Sequence, residues 1–198
     1  MSTFKTVVLP PLVLTVICAL IALMLGFVHS VTAAPIAEAE ERAKTEAVYS
    51  IFPEAAQISP IDIPEDADPQ IKAMYKVKSA VGFAGYAVNV TVGSGYGGEI
   101  NMTVGIDTGN SVKGLEIVSH SETAGLGARI DEPAFRQGFN GITEEAVIGG
   151  NVDAISGATI SSKAVAAGVN AALDAVAPLF EVQIPDVRIN VIKWEVIS

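Results

Sequence analysis

From Val7 to Val28 the chain runs 22 residues without a charge. At about 1.5 Å per helical residue that is long enough to cross a hydrocarbon core of about 30 Å, and the run predicts a transmembrane helix. Pro10 and Pro11 fall in its first turns, where missing N–H groups matter least. After Pro35 the pattern becomes helical: Ile36, Ala43, Ala47, Val48 and Ile51 recur between charged positions, which predicts a stalk or packing helix over Ile36 to Phe52. Pro53, Pro60, Pro64 and Pro69 with several acids then read as an extended connector. Residues 29–70 are thus a stalk helix and Pro-rich connector, and a folded domain is expected over 71–198.

Within that domain the period drops to two. Met74 to Lys78, Tyr86 to Val92, Glu99 to Ile106 and Gly114 to Val118 alternate apolar and polar residues, with Gly-rich breaks between them. These predict an antiparallel meander. Pro133 to Asn140 reads as a short helix and Ile160 to Ala177 as a long one, ended by Pro178, with an Ala164, Val165, Val169, Ala172, Leu173 and Val176 face. Phe180 to Ile197 alternates again and predicts one or two more strands or a packed extension. The fold class is α+β, a twisted antiparallel sheet packed on one or two helices.

A cleaved signal peptide competes with the membrane anchor, since Val31-Thr32-Ala33 is a small-residue site. The apolar core of a signal runs about 7–15 residues, and the longer run here favours the anchor. A lipoprotein is excluded because Ile17, not a small residue, precedes Cys18. Lys5 precedes the span and the acidic Glu38 to Glu41 segment follows it. The positive-inside rule then puts residues 1–6 in the cytoplasm and the domain on the outer face of the membrane.

Charge and cysteine content narrow the chemistry. Twelve Lys and Arg stand against 22 Asp and Glu, a balance that repels phosphate backbones and argues against nucleic acid as a partner. Cys18 is the single cysteine, so an internal disulfide and a cysteine-held metal or iron–sulfur cluster are ruled out within this chain. The two histidines suggest no metal site. No G-x-S-x-G elbow supports a serine nucleophile. Asn89-Val90-Thr91 and Asn101-Met102-Thr103 match a glycosylation acceptor but fall inside predicted strands, and we treat them as chance.

Three polar segments remain. Gly93-Ser94-Gly95-Tyr96-Gly97-Gly98 fits G-x-G-x-x-G, but a strand follows where a dinucleotide site needs a helix. It is a flexible hairpin turn or a backbone that passes close to a flat ligand. Ser119-His120-Ser121-Glu122-Thr123-Ala124-Gly125-Leu126-Gly127 combines donors, a carboxylate and two glycines. Asp153-Ala154-Ile155-Ser156-Gly157-Ala158-Thr159-Ile160-Ser161-Ser162 sets hydroxyls where the long helix begins. Unpaired amides and the helix dipole favour an anion such as phosphate there, with Thr159 the leading candidate; the same amides equally suit an ordinary Ser or Thr N-cap.

In this order, behind one N-terminal anchor, these segments resemble the FMN-binding G subunit of Rnf ion-translocating ferredoxin:NAD oxidoreductases and its relative NqrC of sodium-pumping NADH:quinone reductase. The resemblance covers about residues 5 to 175. It makes residues 71–198 an FMN-binding domain and implies that a flavin transferase joins FMN through its phosphate to Thr159. Ser156, Gly157, Ala158 and Ser161 would surround the phosphate. Glu122 and Thr123 would supply polar contacts to the flavin, with Leu126 and the glycine loop, including Gly97, against its ring. Asp153 would serve transferase recognition or simply form a turn, and Lys163 would offset the phosphate charge or be a solvated surface lysine. The middle motif of the family is usually E-T-P-G-L-G, and Ala124 stands at the proline position here, which loosens the loop without deleting a binding group. The resemblance implies an electron-transfer subunit working with the other membrane subunits of an Rnf-type complex, without turnover alone. An NqrC-like subunit and a non-redox assembly subunit are the alternative readings.

Overall fold

The structure, a computed structural model, describes residues 9–64 and 66–181. Helix α1 spans Leu9–Ile51 without interruption and contains Pro35. The expected break between a membrane span and a separate stalk helix is therefore absent. Proline removes a single backbone bond from a helix, and the Ala- and Glu-rich sequence after Pro35 is strong enough in helix propensity to continue through it. The chain divides into two compact units, the first ending at Ala43 and the second beginning at Lys44. In the first, α1 is long and apolar enough to cross a membrane, and its apolar window is wholly exposed. Thr15, Ser30 and Thr32 return their hydroxyls to helix carbonyls at 2.8–2.9 Å, the local back-bond open to a hydroxyl inside a helix.

In the second unit, β1 (Ala55–Ile61), β2 (Ile71–Ser79), β3 (Gly82–Val92), β4 (Ile100–Asp107) and β5 (Val112–His120) form one antiparallel sheet in sequence order. A five-residue 3-10 turn (Gly127–Asp131), the short α2 (Pro133–Gln137) and the long α3 (Thr159–Glu181) complete it. β1 is a strand that the alternation does not predict. β1 lies inside the supposed connector and pairs with β2, Ile58 opposite Val77 and Pro60 opposite Tyr75. Proline is tolerated there because β1 is an edge strand, where a missing N–H can face outward.

The two sheet faces are covered differently. Val88, Val90, Val92, Met102, Val104 and Ile106 form one apolar core with Val165, Val169, Ala172 and Val176 of α3. On the other face Val48, Ile51 and Phe52, at the end of α1, pack with Val77 and Ala87. Gly105 and Gly114 are cross-strand partners. A Cβ on Gly105 would strike Ile51 and Phe52, and one on Gly114 would press on Ile51. The glycines thus pave the seat of these two side chains.

α3 continues through Pro178 to Glu181 rather than ending at it. The proline removes only the bond to the carbonyl of Asp174, an exposed residue whose carbonyl water can serve. Phe180, expected to begin the tail, is helical and meets the Tyr86 ring at a 5.3 Å centroid distance. The rest of the expected tail, residues 182–198, and the N-terminus 1–6 lie outside the described residues.

Candidate functional site

In an antiparallel meander the β3–β4 loop and the end of β5 lie at the same end of the sheet. The start of α3, packed across β3 and β4, arrives there as well. The glycine loop, the Glu122 loop and the Thr159 segment, far apart in the chain, therefore meet. Between them is a cleft of about 510 Å³ lined by Tyr96, Glu122, Thr123, Leu126, Gly127 and Gly157 to Ser161. This volume lies within the range of about 300–1,000 Å³ for small-molecule sites.

Glu122 joins the three segments. It is 8 % exposed; its Oε2 accepts from Ser161 Oγ at 2.8 Å and its Oε1 from the Gly97 N–H at 3.2 Å. A burial this deep requires such partners for a carboxylate. The glycines follow from the same crowding: a Cβ on Gly95 or Gly127 would strike the Glu122 carboxylate, and one on Gly97 the Ser121 carbonyl. Behind the wall, His120 Nδ1 accepts from the Glu122 N–H at 3.1 Å, and its Nε2 lies 3.3 Å from Asp131 Oδ2.

The hydroxyls at the start of α3 fall into two kinds. Ser161 and Ser162 are buried and committed. Ser162 Oγ accepts from the Ile155 N–H at 3.1 Å and donates to the Ala158 carbonyl at 2.9 Å. Ser156 and Thr159 are exposed, and among the described residues their hydroxyls have no partner. Neither hydroxyl accepts a helix amide, contrary to the N-cap reading, while Ser162 ties the preceding loop to the helix. Only Thr159 of the free pair lines the cleft; Ser156 lies off it.

Gly97 also lies off the cleft wall and acts through its bond to Glu122. Gly157 and Ala158 line the cleft beside Thr159, Gly157 with φ +79°. Thr123 and Leu126 are exposed and line the cleft. The glycine loop reaches the cleft through Tyr96, where the sequence reading singles out Gly97, and Gly127 and Ile160 are lining residues that reading does not single out. Tyr96 is 71 %, Ile160 55 % and Leu126 50 % exposed, an apolar rim in solvent that marks a binding surface. Such exposure has no signature in periodicity, although Ile160 at the polar start of an apolar helix was a clue. Asp153 and Lys163 are exposed and line no part of the cleft.

A family model described as an FMN-binding domain matches residues 95–174, from the glycine loop into α3. The chain is 33 % identical to the G subunit of the ion-translocating oxidoreductase complex of Methanosarcina acetivorans, covering 88 % of this chain and 96 % of that one. It is 32 % identical to the G subunit of the Na(+)-translocating ferredoxin:NAD(+) oxidoreductase complex of Acetobacterium woodii, over 80 % of this chain and 86 % of that one. Among solved structures, the C subunit of Na(+)-translocating NADH-quinone reductase from Parabacteroides distasonis aligns with a TM-score of 0.49 at 18 % identity, over 72 % of this chain and 92 % of that one. The identity to the two G subunits, held across most of the length of each chain, means that the protein belongs to the G-subunit family of ion-translocating oxidoreductase complexes.

Proposed function

We propose that this chain is a membrane-anchored electron carrier that holds FMN through a phosphoester to Thr159. The observation that carries the reading is the Thr159 hydroxyl, exposed and unpartnered in a cleft with an apolar rim. The residues present fit the group. Thr159 offers the free oxygen, and the first amides of α3 with the helix dipole favour the phosphate. Gly157 and Ala158 keep that entrance free of bulk, and Ser156 flanks it. Thr123 supplies a hydroxyl, while Tyr96, Leu126 and Ile160 offer apolar surface to a flat ring. Glu122, Ser161 and Gly97 shape the wall by bonding one another. FMN held there would supply reversible one- and two-electron chemistry.

The names of the relatives support a place inside an ion-translocating ferredoxin:NAD oxidoreductase complex. There the protein accepts electrons from one neighbour and passes them to another, with no turnover alone. α1 anchors it in the membrane, the N-terminus faces the cytoplasm and the FMN domain faces outward. A flavin transferase is the partner that loads it.

Intact-mass and peptide mass spectrometry of the full chain, purified after expression with a flavin transferase, tests the attachment. The peptide containing Thr159 should gain one flavin mononucleotide less one water, and Thr159→Ala should abolish the gain. An unmodified wild-type threonine in such material overturns the covalent reading. A colourless, fully assembled complex would instead favour a non-redox assembly role.

A further inference from the structure

Glu122 is held from behind as well as from its carboxylate. The His120 Nδ1 accepts the Glu122 backbone N–H at 3.1 Å. In a neutral imidazole one nitrogen accepts and the other donates, so Nε2 carries the proton and points it at Asp131 Oδ2, 3.3 Å away. His120 has a 16 % exposed side chain, against 53 % for Asp131. The ring therefore spans from the rim of the 3-10 turn to the main chain of the cleft wall.

What it fixes is the node of the site. The Ser121–Glu122 backbone lies directly under Gly97, and the Glu122 carboxylate bonds Gly97 and Ser161. A shift of that backbone would move the glycine loop on one side and the first turn of α3 on the other. We propose that His120 is a positioning residue for the flavin site: through the Glu122 amide it holds the cleft wall in the geometry that takes up the cofactor. This rests on reading the cleft as the FMN site. His120 itself does not line the cleft, so its effect is transmitted, not direct.

Side-chain geometry supplies a discriminating test. Asparagine puts its Oδ1 near the place of Nδ1 and can accept the Glu122 N–H, whereas glutamine places its amide near Nε2 and cannot. The full chain carrying His120→Asn, His120→Gln or His120→Ala is expressed with the transferase and compared in two measurements. Hydrogen exchange at the Glu122 amide, before flavin loading, should be unchanged in His120→Asn and about five- to tenfold faster in the other two, the loss of one hydrogen bond. Initial flavin incorporation by intact mass should follow the same order, about five- to tenfold slower in His120→Gln and His120→Ala. Equal exchange in all four proteins overturns the amide clamp whether or not flavin is present. Altered exchange with equal incorporation overturns the positioning role. A wild type that never takes up flavin overturns the reading of the cleft, and the role with it, while leaving the exchange result to stand for the clamp alone.

Discussion

Ser161 and Glu122, 39 residues apart in the chain, are joined by a 2.8 Å hydrogen bond in which the serine hydroxyl donates to the carboxylate. Serine is 1 % and glutamate 8 % exposed, so this largely buried bond ties α3 to the loop after β5 at the cleft wall. Ser161→Ala leaves one oxygen of a buried carboxylate without its donor, which should lower stability by about 1–3 kcal/mol. Glu122→Gln, which keeps the shape and removes the charge, should be partly compensated in the Ser161→Ala background. A double-mutant cycle by thermal unfolding of the full chain in detergent checks both, and additive losses would mean that the two residues do not interact.

Thr159→Val should leave stability within about 0.5 kcal/mol of wild type, because the side chain is exposed and its hydroxyl has no partner to lose. The same change should abolish flavin attachment, and Thr159→Ser should retain it. Ser156→Ala should not reduce attachment. Intact mass and circular dichroism on the same samples separate the two effects; flavin on Thr159→Val would assign the acceptor elsewhere.

Gly157→Ala should lower stability by about 1–2 kcal/mol from backbone conformation alone, the cost of a left-handed residue. Its φ is +79°, and the nearest atom to an added Cβ is Leu126 Cδ2 at 3.6 Å, an ordinary contact. Gly157→Asn, which tolerates that conformation better, should recover part of the loss. Equal loss in both would point to crowding against Leu126 instead.

Gly105→Val fills the seat of the α1 end. The added side chain strikes Ile51 and Phe52, and a well-packed core resists such insertions by about 1–3 kcal/mol. Phe52→Ala in that background should restore part of the stability by making room, although alone it destabilises. Unfolding midpoints of the single and double variants decide the matter.

The Lys113 hydrogen bond holds the Glu54 carboxyl below its ordinary value of 4.5. A carboxyl lowered by folding stabilises above its unfolded pKa and loses that contribution as pH falls through the folded one. The pair is half-exposed on the Glu54 side, so its contribution should stay below about 1 kcal/mol and shrink in high salt. Lys113→Met should flatten the stability difference between pH 6 and the acid side of 4.5 by that small amount, read from unfolding curves at each pH.

Periods are local, and what they encode was legible. The charge-free run of α1, the alternation of β2 to β5 and the apolar face of α3 each follow from residues within a few turns or pleats. They give α+β with an antiparallel meander, as observed. Motif order grouped Thr159, Glu122, Thr123 and Leu126, and all four line one cleft. Pro60 and Pro178 misled because a proline marks a missing N–H, and only an edge strand or a solvated helix end makes that harmless.

Tertiary structure alone decided which hydroxyl is free and which glycine has a partner to avoid. Ser161 and Thr159 stand two residues apart, both hydroxyls at the start of α3, and the direction of the helix buries one against Glu122 while leaving the other exposed in the cleft. Gly97, Gly105 and Gly127 look like turn or strand glycines until Ser121, Ile51 and Glu122 are brought against them. Such choices depend on contacts between segments tens of residues apart, whose closure is set by packing of the whole sheet between α3 and the end of α1, and no local pattern carries that information.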